Sequence, residues 1–389
     1  MKIGITCYPT YGGSGVVATE LGKALALRGH EIHFITYALP TRLDHVAEGL
    51  YFHEVRVATY PLFEYPPYSV ALTSKMVDVA RHTGLDLLHV HYAIPHATSA
   101  VLARDILAAE GRRVPVVTTL HGTDITLVGQ DPSFQPVVEH SINASDGVTS
   151  VSSWLRQETL DNFEISRPIE VIPNFVDTER FRKVDKTHFK RAIAPEGERL
   201  VAHVSNFREV KRTQDVVRVF AGLHAAGAWP PDHPRAGAPG GVKLLLVGDG
   251  PDRAACEALA RQLGVFDEIR FLGKQEPVEE ILSVADLFLM PSASETFGLA
   301  ALEAMACGVP VVSSDIGGLP ELNVDGETGF LCPLGDVEGM TEASQRILTE
   351  PGLHDRMAAA ALARAADCFD ESRIVPMYEA HYERVMGDG

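Results

Sequence analysis

Residues 287–313 read LFLMPSASETFGLAALEAMACGVPVVS, and this stretch predicts a strand, a polar loop, a helix and a second strand. The two strand segments are short and mostly apolar, which is typical of parallel strands that helices cover on both faces. The segment between them, Leu299–Cys307, is predicted to be the helix. Strand–helix–strand units build α/β folds, so the stretch predicts a parallel sheet.

The same alternation of strands and helices runs through the chain in two series. It predicts an α/β protein with two Rossmann-like, doubly wound domains. The predicted strands are Lys2–Cys7, Glu31–Tyr37, Leu87–His91, Val114–Leu120, Gly147–Ser150 and Glu170–Ile172, then Leu200–Val204, Val242–Val247, Glu268–Phe271, Leu287–Met290, Val309–Ser313 and Gly329–Cys332. The predicted helices include Val16–Arg28, Ser69–Arg81, Pro95–Ala109, Ser153–Phe163, Gln214–Ala225, Arg253–Leu263, Pro277–Val284 and Leu299–Cys307.

The length of the chain also favours two domains. At roughly 100–200 residues per domain, 389 residues predict two, which we place at 1–173 and 174–371. The stretch Trp229–Gly241 is dense in Pro and Gly and is predicted to be a solvent-exposed loop. Ser372–Met386 predicts an amphipathic helix, and the C-terminal residues 372–389 are expected to pack back on the first domain.

Charge and cysteine content exclude some classes of protein. A formal net charge of −18 argues against nucleic acid or an anionic membrane as a partner. Five cysteines without a CxxC pair fit a reducing cytoplasm better than a disulfide framework. We find neither a signal-peptide pattern nor an apolar run of about 20 residues, so we expect a cytoplasmic protein without stable membrane insertion. The sequence is compatible with a homo-oligomer.

A glycine-rich loop, Gly12-Gly13-Ser14-Gly15, follows the first predicted strand and precedes a helix. Glycines let the backbone approach a ligand closely, and a helix N-terminus offers unpaired N–H groups to an anion. The loop also fits the G-x-G-x-x-A pattern of dinucleotide sites. However, the next strand ends at Tyr37 without the carboxylate that would hold a ribose. A nucleotide site, contact with another substrate and a purely structural turn all stay open.

Two carboxylates, Glu295 and Glu303, lie on either side of the predicted start of a helix at Phe297-Gly298-Leu299. The first N–H groups of that helix are suited to bind a phosphate oxygen. Carboxylates form strong hydrogen bonds with the diols of sugars and riboses. The neighbours of Glu303 are apolar, and a buried carboxylate without a partner would be costly. We therefore predict ligand binding here, against the alternative of a solvated helix face.

Basic residues and a histidine follow two other predicted strands. Arg208 and Lys211 come after Leu200–Val204, where they would neutralise a diphosphate without a metal; a surface cluster without function is the alternative. His121-Gly122-Thr123-Asp124 comes after Val114–Leu120, at the edge of a parallel sheet where ligands bind. The spacing of the histidines in this region matches no zinc signature, so we predict no metal site.

Together these motifs resemble the retaining glycosyltransferases of the GT-B fold, in the large family called family 4. The resemblance covers nearly the whole chain, through the glycine loop, H-G-T-D, P-N-F-V at Pro173–Val176, R-x-x-K, V-G-D-G-P at Val247–Pro251 and E-x-F-G-L-x-x-x-E. It implies two Rossmann-like domains that face each other across a cleft. It also implies a nucleotide-sugar donor held mainly by the second domain, with no metal or other cofactor.

The resemblance implies a role for each matching residue. His121 would lie beside the transferred sugar and Glu295 would bind that sugar, while Arg208 and Lys211 would stabilise the diphosphate. These four are the predicted catalytic residues. The predicted donor-binding residues are Gly13, Ser14, Asn206, Arg208, Lys211, Gly248, Glu295, Phe297, Gly298, Leu299 and Glu303.

Some stretches resemble one branch of the family more closely. Cys7–Gly22, His30–Thr36, Phe63–Tyr68 and His89–Ala97 are similar to members that transfer N-acetylglucosamine from UDP-N-acetylglucosamine to L-malate in bacillithiol biosynthesis. This similarity implies the same two small-molecule substrates. The predicted acceptor-binding residues are Ser14, Tyr92, Thr119 and Arg156.

Other functions stay open at this point. The chain departs from the family pattern at Lys211-Arg212, where many members have Lys-Gly, and in the inserted loop Trp229–Gly241. A family member with an inositol or lipid acceptor is one alternative. A nucleotide-sugar epimerase would need acid/base groups on both faces of the sugar. An NAD-dependent oxidoreductase is weakened by the missing ribose carboxylate.

Overall fold

The structure, a computed structural model, describes residues 1–10, 12–43, 48–58, 65–184 and 187–387. Residue 11 and residues 63–64, which belong to the stretches that indicate L-malate, lie outside this part. The chain forms two compact units. The first comprises Met1–Asn174 with Ser372–Gly389, and the second comprises Phe175–Glu371.

The first unit is built on a seven-stranded sheet in which every neighbouring pair is parallel, with strand order β3-β2-β1-β4-β5-β6-β7. Its strands are β1 Lys2–Thr6, β2 Glu31–Thr36, β3 Leu50–Glu54, β4 Leu87–His91, β5 Val116–Leu120, β6 Gly147–Ser150 and β7 Ile169–Val171. Every residue of β4 and β5 is buried, as their apolar sequences predict. Its helices are α1 Gly13–Leu27, α2 Tyr68–Thr83, α3 Thr98–Ala109, α4 Thr123–Thr126, α5 Gln135–Ala144 and α6 Ser153–Asn162, with a π-helical turn at Ala93–Ala97.

The second unit repeats this architecture with a six-stranded parallel sheet of order β10-β9-β8-β11-β12-β13. Its strands are β8 Arg199–Val204, β9 Val242–Val247, β10 Ile269–Gly273, β11 Leu287–Met290, β12 Val311–Ser314 and β13 Gly329–Cys332. Its helices are α7 Thr187–Ile193, α8 Thr213–Ala226, α9 Arg253–Gln262, α10 Glu279–Leu282, α11 Leu299–Ala306, α12 Leu319–Leu322, α13 Val337–Thr349 and α14 Leu353–Phe369, with 3-10 turns at Glu209–Lys211 and Phe266–Glu268.

The strand order places one topological switch point in each sheet. It lies between β1 and β4 in the first unit and between β8 and β11 in the second. In open α/β sheets, ligands bind beyond the carboxyl ends of the strands at such a point. The loops that follow these four strands are therefore where a site is expected. They contain the predicted site residues Tyr92, Asn206, Arg208, Lys211, Glu295, Phe297 and Gly298.

The last helix, α15 Glu371–Gly387, returns to the first unit. The hydroxyl of Tyr382 hydrogen-bonds His89 Nδ1 at 2.7 Å, and Glu379 pairs with Arg28 at 2.8 Å. A Cβ on Gly147 would lie 2.4 Å from His381 Nε2, so glycine at the start of β6 lets the helix come close. The final segment therefore completes the core of the first unit.

The sequence predicted most of these elements correctly. All the predicted strands are present, with ends that differ by at most two residues. Strand β3 was not among them, because this edge strand is half-exposed and has no apolar run. No helix or strand lies within Trp229–Gly241, but the expectation that this loop is solvent-exposed is wrong at Trp229. The Trp229 side chain is buried and its ring stacks on His233 at 4.3 Å.

Candidate active site

The glycine loop of the first unit leads directly into helix α1. A Cβ on Gly15 would lie 2.4 Å from the carbonyl oxygen of Tyr8, so this position requires glycine. A Cβ on Gly13 would meet nothing within 4 Å, which shows open space beside the helix start. The N-cap residue, Gly12, has no side chain to satisfy the first N–H groups of the helix. These groups are thus suited to bind an anion.

Tyr92 connects this loop to the histidine motif. It follows β4 with a φ of 86°, a conformation that is rare outside glycine, and its hydroxyl donates to Ser14 Oγ at 2.9 Å. Its ring lies 5.4 Å from that of His121. Burial raises the pKa of Tyr92 to about 12, so the phenol stays protonated. The structure therefore brings Ser14, Tyr92 and His121 together.

Asp124 fixes the backbone around His121. Its carboxylate accepts hydrogen bonds from the N–H groups of Ala93 at 2.8 Å and of Gly122 at 3.0 Å. Burial raises the pKa of Asp124 to about 6, and the hydrogen bonds from the backbone oppose that shift. Burial also lowers the pKa of His121 to about 3. His121 is therefore neutral at physiological pH, and its ring can offer hydrogen bonding but no charge.

The other two predicted acceptor residues lie elsewhere. Thr119 is fully buried, and its hydroxyl hydrogen-bonds His89 Nε2 and Thr149 Oγ1, both at 2.7 Å. Both hydrogen bonds of this hydroxyl are made within the sheet, so we no longer assign Thr119 to acceptor binding. Arg156 is exposed on α6, whose N-cap Ser152 accepts from Leu155 N.

In the second unit, Lys211 and Glu295 form an ion pair. Both the Lys211 ammonium and the hydroxyl of Ser292 bind the same carboxylate oxygen, Glu295 Oε1. Glu295 thereby orients the lysine, whose ammonium has further donors for a diphosphate. Arg208 is exposed and lies three residues before Lys211 in the sequence. Sequence analysis missed Ser292, although its place between β11 and Glu295 was a usable signal.

Two glycines hold the loop that carries Glu295. Cβ atoms on Gly317 and Gly318 would lie 1.9 Å from Glu295 O and 2.1 Å from Thr296 O. The N–H of Gly318 donates to Glu295 O at 3.0 Å. Only glycines allow this approach, so the backbone at Glu295 is fixed before any ligand binds.

Helix α11 begins at Leu299 as the sequence predicts, with Gly298 as its N-cap at a φ of 98°. The Phe297 ring is buried and packs edge-on against Phe369 at 5.5 Å, so only its backbone is left for a ligand. Glu303 lies one turn into the helix and is 5% exposed.

Asn206 and Gly248 lie in the loops after β8 and β9. A Cβ on Gly248 would lie 1.8 Å from Ser205 O, so the two loops touch through glycine. Asn206 Oδ1 is buried and has no hydrogen-bond partner among the described residues. A buried amide oxygen in this state is suited to accept a hydrogen bond from a ligand.

Two kinds of feature are absent from the described residues. None of the described helices is both long and apolar enough to cross a bilayer. Within the same part of the chain, no three His, Cys, Asp or Glu side chains are grouped so as to hold a metal ion.

Comparison with known families and relatives identifies the class of protein. Residues 11–180 match the family model Glycosyltransferase Family 4, and residues 184–364 match Glycosyl transferases group 1. The N-acetyl-alpha-D-glucosaminyl L-malate synthase of Bacillus anthracis is 46% identical, with 100% of this chain and 98% of that protein covered. The D-inositol 3-phosphate glycosyltransferase of Actinosynnema mirum is 30% identical, with 91% and 88% covered.

Solved structures show the fold. Sucrose-phosphate synthase from Thermosynechococcus elongatus matches with a TM-score of 0.79 at 22% identity, over 100% of both chains. Anabaena HepE, solved in complex with UDP and glucose, matches with a TM-score of 0.80 at 20% identity, over 98% of both chains. The chain belongs to the glycosyltransferase family that the two family models describe, and it is a glycosyltransferase of the GT-B fold. The predicted fold class and enzyme class are confirmed.

Proposed function

We propose that this enzyme transfers N-acetylglucosamine from UDP-N-acetylglucosamine to the hydroxyl of L-malate, the first step of bacillithiol biosynthesis, in the cytoplasm. The observation that carries the proposal is the 46% identity, over the full chain, to the N-acetyl-alpha-D-glucosaminyl L-malate synthase of Bacillus anthracis. The first unit supports it, because Ser14, Tyr92 and His121 meet beside the open N-terminus of α1.

The donor is assigned to the second unit. Glu303 would bind the ribose hydroxyls, Glu295 the transferred sugar, and the N–H groups at the start of α11 a phosphate oxygen. Lys211 and Arg208 would neutralise the diphosphate. Because these two cations would neutralise the charge of the leaving group, we expect that the reaction requires no metal ion. Turnover that is lost with EDTA and restored by magnesium or manganese would contradict this part of the proposal.

The acceptor is assigned to the first unit. L-Malate carries two carboxylates, and the N–H groups and dipole of α1 would bind one of them. The Ser14 hydroxyl would donate a further hydrogen bond, oriented by the bond that its Oγ accepts from Tyr92. Arg156 is kept as a candidate for the second carboxylate.

The proposed reaction retains the configuration at the anomeric carbon. The bond from that carbon to the diphosphate oxygen breaks, and a bond to the malate hydroxyl oxygen forms on the same face. The hydroxyl proton passes to the departing phosphate oxygen, so no protein nucleophile is required. The protein then contributes positioning and charge stabilisation.

A second candidate acceptor is an inositol phosphate, because a D-inositol 3-phosphate glycosyltransferase is 30% identical to this chain. Mass spectrometry of products from UDP-N-acetylglucosamine with L-malate, D-malate, succinate or inositol 3-phosphate separates the candidates. We expect a glycosylated product with L-malate and far less with D-malate, which misplaces the hydroxyl. Succinate has no hydroxyl and serves as the control. Product with inositol 3-phosphate but not with L-malate would overturn the acceptor assignment.

A further inference from the structure

His91 is the last residue of β4 and lies directly beside His121. Its Nδ1 and His121 Nε2 are 2.7 Å apart, and the two rings stack with centroids 5.0 Å apart at 27°. His91 is fully buried and His121 is 8% exposed. The backbone of His91 is also held, since its carbonyl accepts a hydrogen bond from His96 Nδ1 at 2.6 Å.

Among the described residues, the bond to His121 is the one hydrogen bond of the His91 side chain. The other ring nitrogen, Nε2, is buried and has no hydrogen-bond partner in the part of the chain that the structure describes. Leaving a buried polar atom unpaired destabilises a fold, so an apolar side chain would suit this position better if packing were all that mattered. Compared with an apolar side chain, the imidazole of His91 contributes a hydrogen bond to His121.

This contact determines the state of the His121 ring. Burial lowers the pKa of both histidines, that of His121 to about 3, so both rings are neutral near pH 7. Between two neutral imidazoles, one nitrogen donates and the other accepts. The bond therefore couples the tautomer of His121 to that of His91, and it limits rotation of the His121 ring.

We propose that His91 is a positioning residue for the transfer reaction: its hydrogen bond holds the imidazole of His121 in one orientation and one tautomer. His91 acts through His121 and does not itself touch a substrate. The rate measurement that tests this inference rests on the proposed function. A second measurement, on the unliganded protein, does not depend on that function.

Two substitutions test this role. His91→Leu removes the hydrogen bond but keeps an apolar side chain of similar size, while His91→Asn keeps a polar group near the position of Nδ1. We expect His91→Leu to lower kcat about 10- to 100-fold, because small misplacements of reacting groups have effects of that order. The KM for UDP-N-acetylglucosamine should change less than kcat, since most of the residues assigned to the donor lie in the second unit. His91→Asn should recover most of the rate.

The chain offers a matched control pair away from the site. His33, on β2, is 2% exposed, and its Nδ1 lies 2.8 Å from His53 Nε2. His33→Leu removes a histidine–histidine contact from the same sheet, together with the 2.9 Å contact between His33 Nε2 and Glu31 Oε1. It should lower the melting temperature without lowering kcat. A His91→Leu variant with the kcat of the wild type would overturn the proposal, as would equal losses of kcat in His91→Leu and His33→Leu.

The second measurement is the nitrogen-15 NMR spectrum of the histidine rings in the unliganded protein. The wild type should show His121 in a single neutral tautomer, and His91→Leu should shift or mix its ring signals. An unchanged His121 tautomer in His91→Leu would overturn the proposal whatever the acceptor is. If L-malate is the wrong acceptor, the wild type itself gives no product with L-malate, and the NMR result is unaffected. The two failures are therefore distinguishable.

Discussion

At the scale of single residues, Glu303 tests the donor site. It is 5% exposed in the first turns of α11, where the proposal gives it the ribose hydroxyls. Glu303→Gln should weaken UDP binding by about 1–3 kcal/mol, the range for a hydrogen bond to a charged group. Calorimetry measures the affinity. The control is Glu342→Gln, which removes the same charge from an exposed position on α13. Unchanged UDP affinity in a folded Glu303→Gln variant would remove this residue from the site.

Ser14 and Tyr92 test the acceptor site at the same scale. Their hydroxyls share one hydrogen bond of 2.9 Å, so the effects of losing each should not add. We expect Ser14→Ala and Tyr92→Phe each to raise the KM for L-malate about 3- to 30-fold, equivalent to roughly 0.6–2 kcal/mol. UDP affinity should stay nearly constant. Steady-state kinetics of the two single variants and the double variant measure the coupling, and strictly additive effects would contradict a shared role.

At the scale of elements, helix α15 has a matched pair of tyrosines. Tyr382 and Tyr378 are both fully buried on this helix. The Tyr382 hydroxyl binds His89, whereas that of Tyr378 has no hydrogen-bond partner among the described residues. Tyr382→Phe should lower the free energy of unfolding by about 1–3 kcal/mol, because it leaves a buried imidazole nitrogen unpaired.

Tyr378→Phe is the control, since the Tyr378 hydroxyl interacts with Thr119 and Thr149 without a close hydrogen bond, and it should destabilise the fold less than Tyr382→Phe. Urea denaturation followed by tyrosine fluorescence or circular dichroism measures both variants. Equal destabilisation by the two substitutions would show that the hydrogen bond to His89 does not anchor α15.

At the scale of the whole molecule, buried histidines set the response to acid. Burial lowers the pKa values of His89 and His121 to about 3 and that of His96 to about 4, from an ordinary value of 6.5. The unfolded chain therefore binds more protons between pH 6.5 and these values, and stability falls as the pH falls through that window. Burial raises the pKa of Asp124 to about 6 from 3.8, which opposes this trend between those two values.

Burial also lowers the pKa of His91, so the histidines outweigh Asp124 and the first unit should be less stable at pH 5 than at pH 7. Urea midpoints at a series of pH values measure this. His89→Leu removes one of these groups and should reduce the slope by up to about 1.4 kcal/mol per pH unit. A midpoint that rises between pH 7 and pH 5 would contradict the assignment of these histidines as neutral in the folded state.

Much of the architecture follows from the sequence alone. Runs such as Leu287–Met290 and Val242–Val247 determine buried parallel strands, because burial on both faces demands continuous apolar residues. The loop before α11 is likewise local: a glycine that accepts a positive φ ends the loop, and an apolar helix follows. Glu295 and Glu303 were predicted because strand, loop and helix together span fewer than 30 residues.

Contacts between distant segments were decided only by the tertiary structure. The Lys211–Glu295 ion pair joins residues 84 positions apart, and Tyr382 meets His89 across 293 positions. Thr119 looked like a site residue because it lies two positions before His121, but the pairing of β5 with β4 and β6 surrounds its hydroxyl with His89 and Thr149. Local pattern encodes which residues are buried. Strand order and register, which arise from long-range pairing, decide which side chains meet and which one faces a ligand.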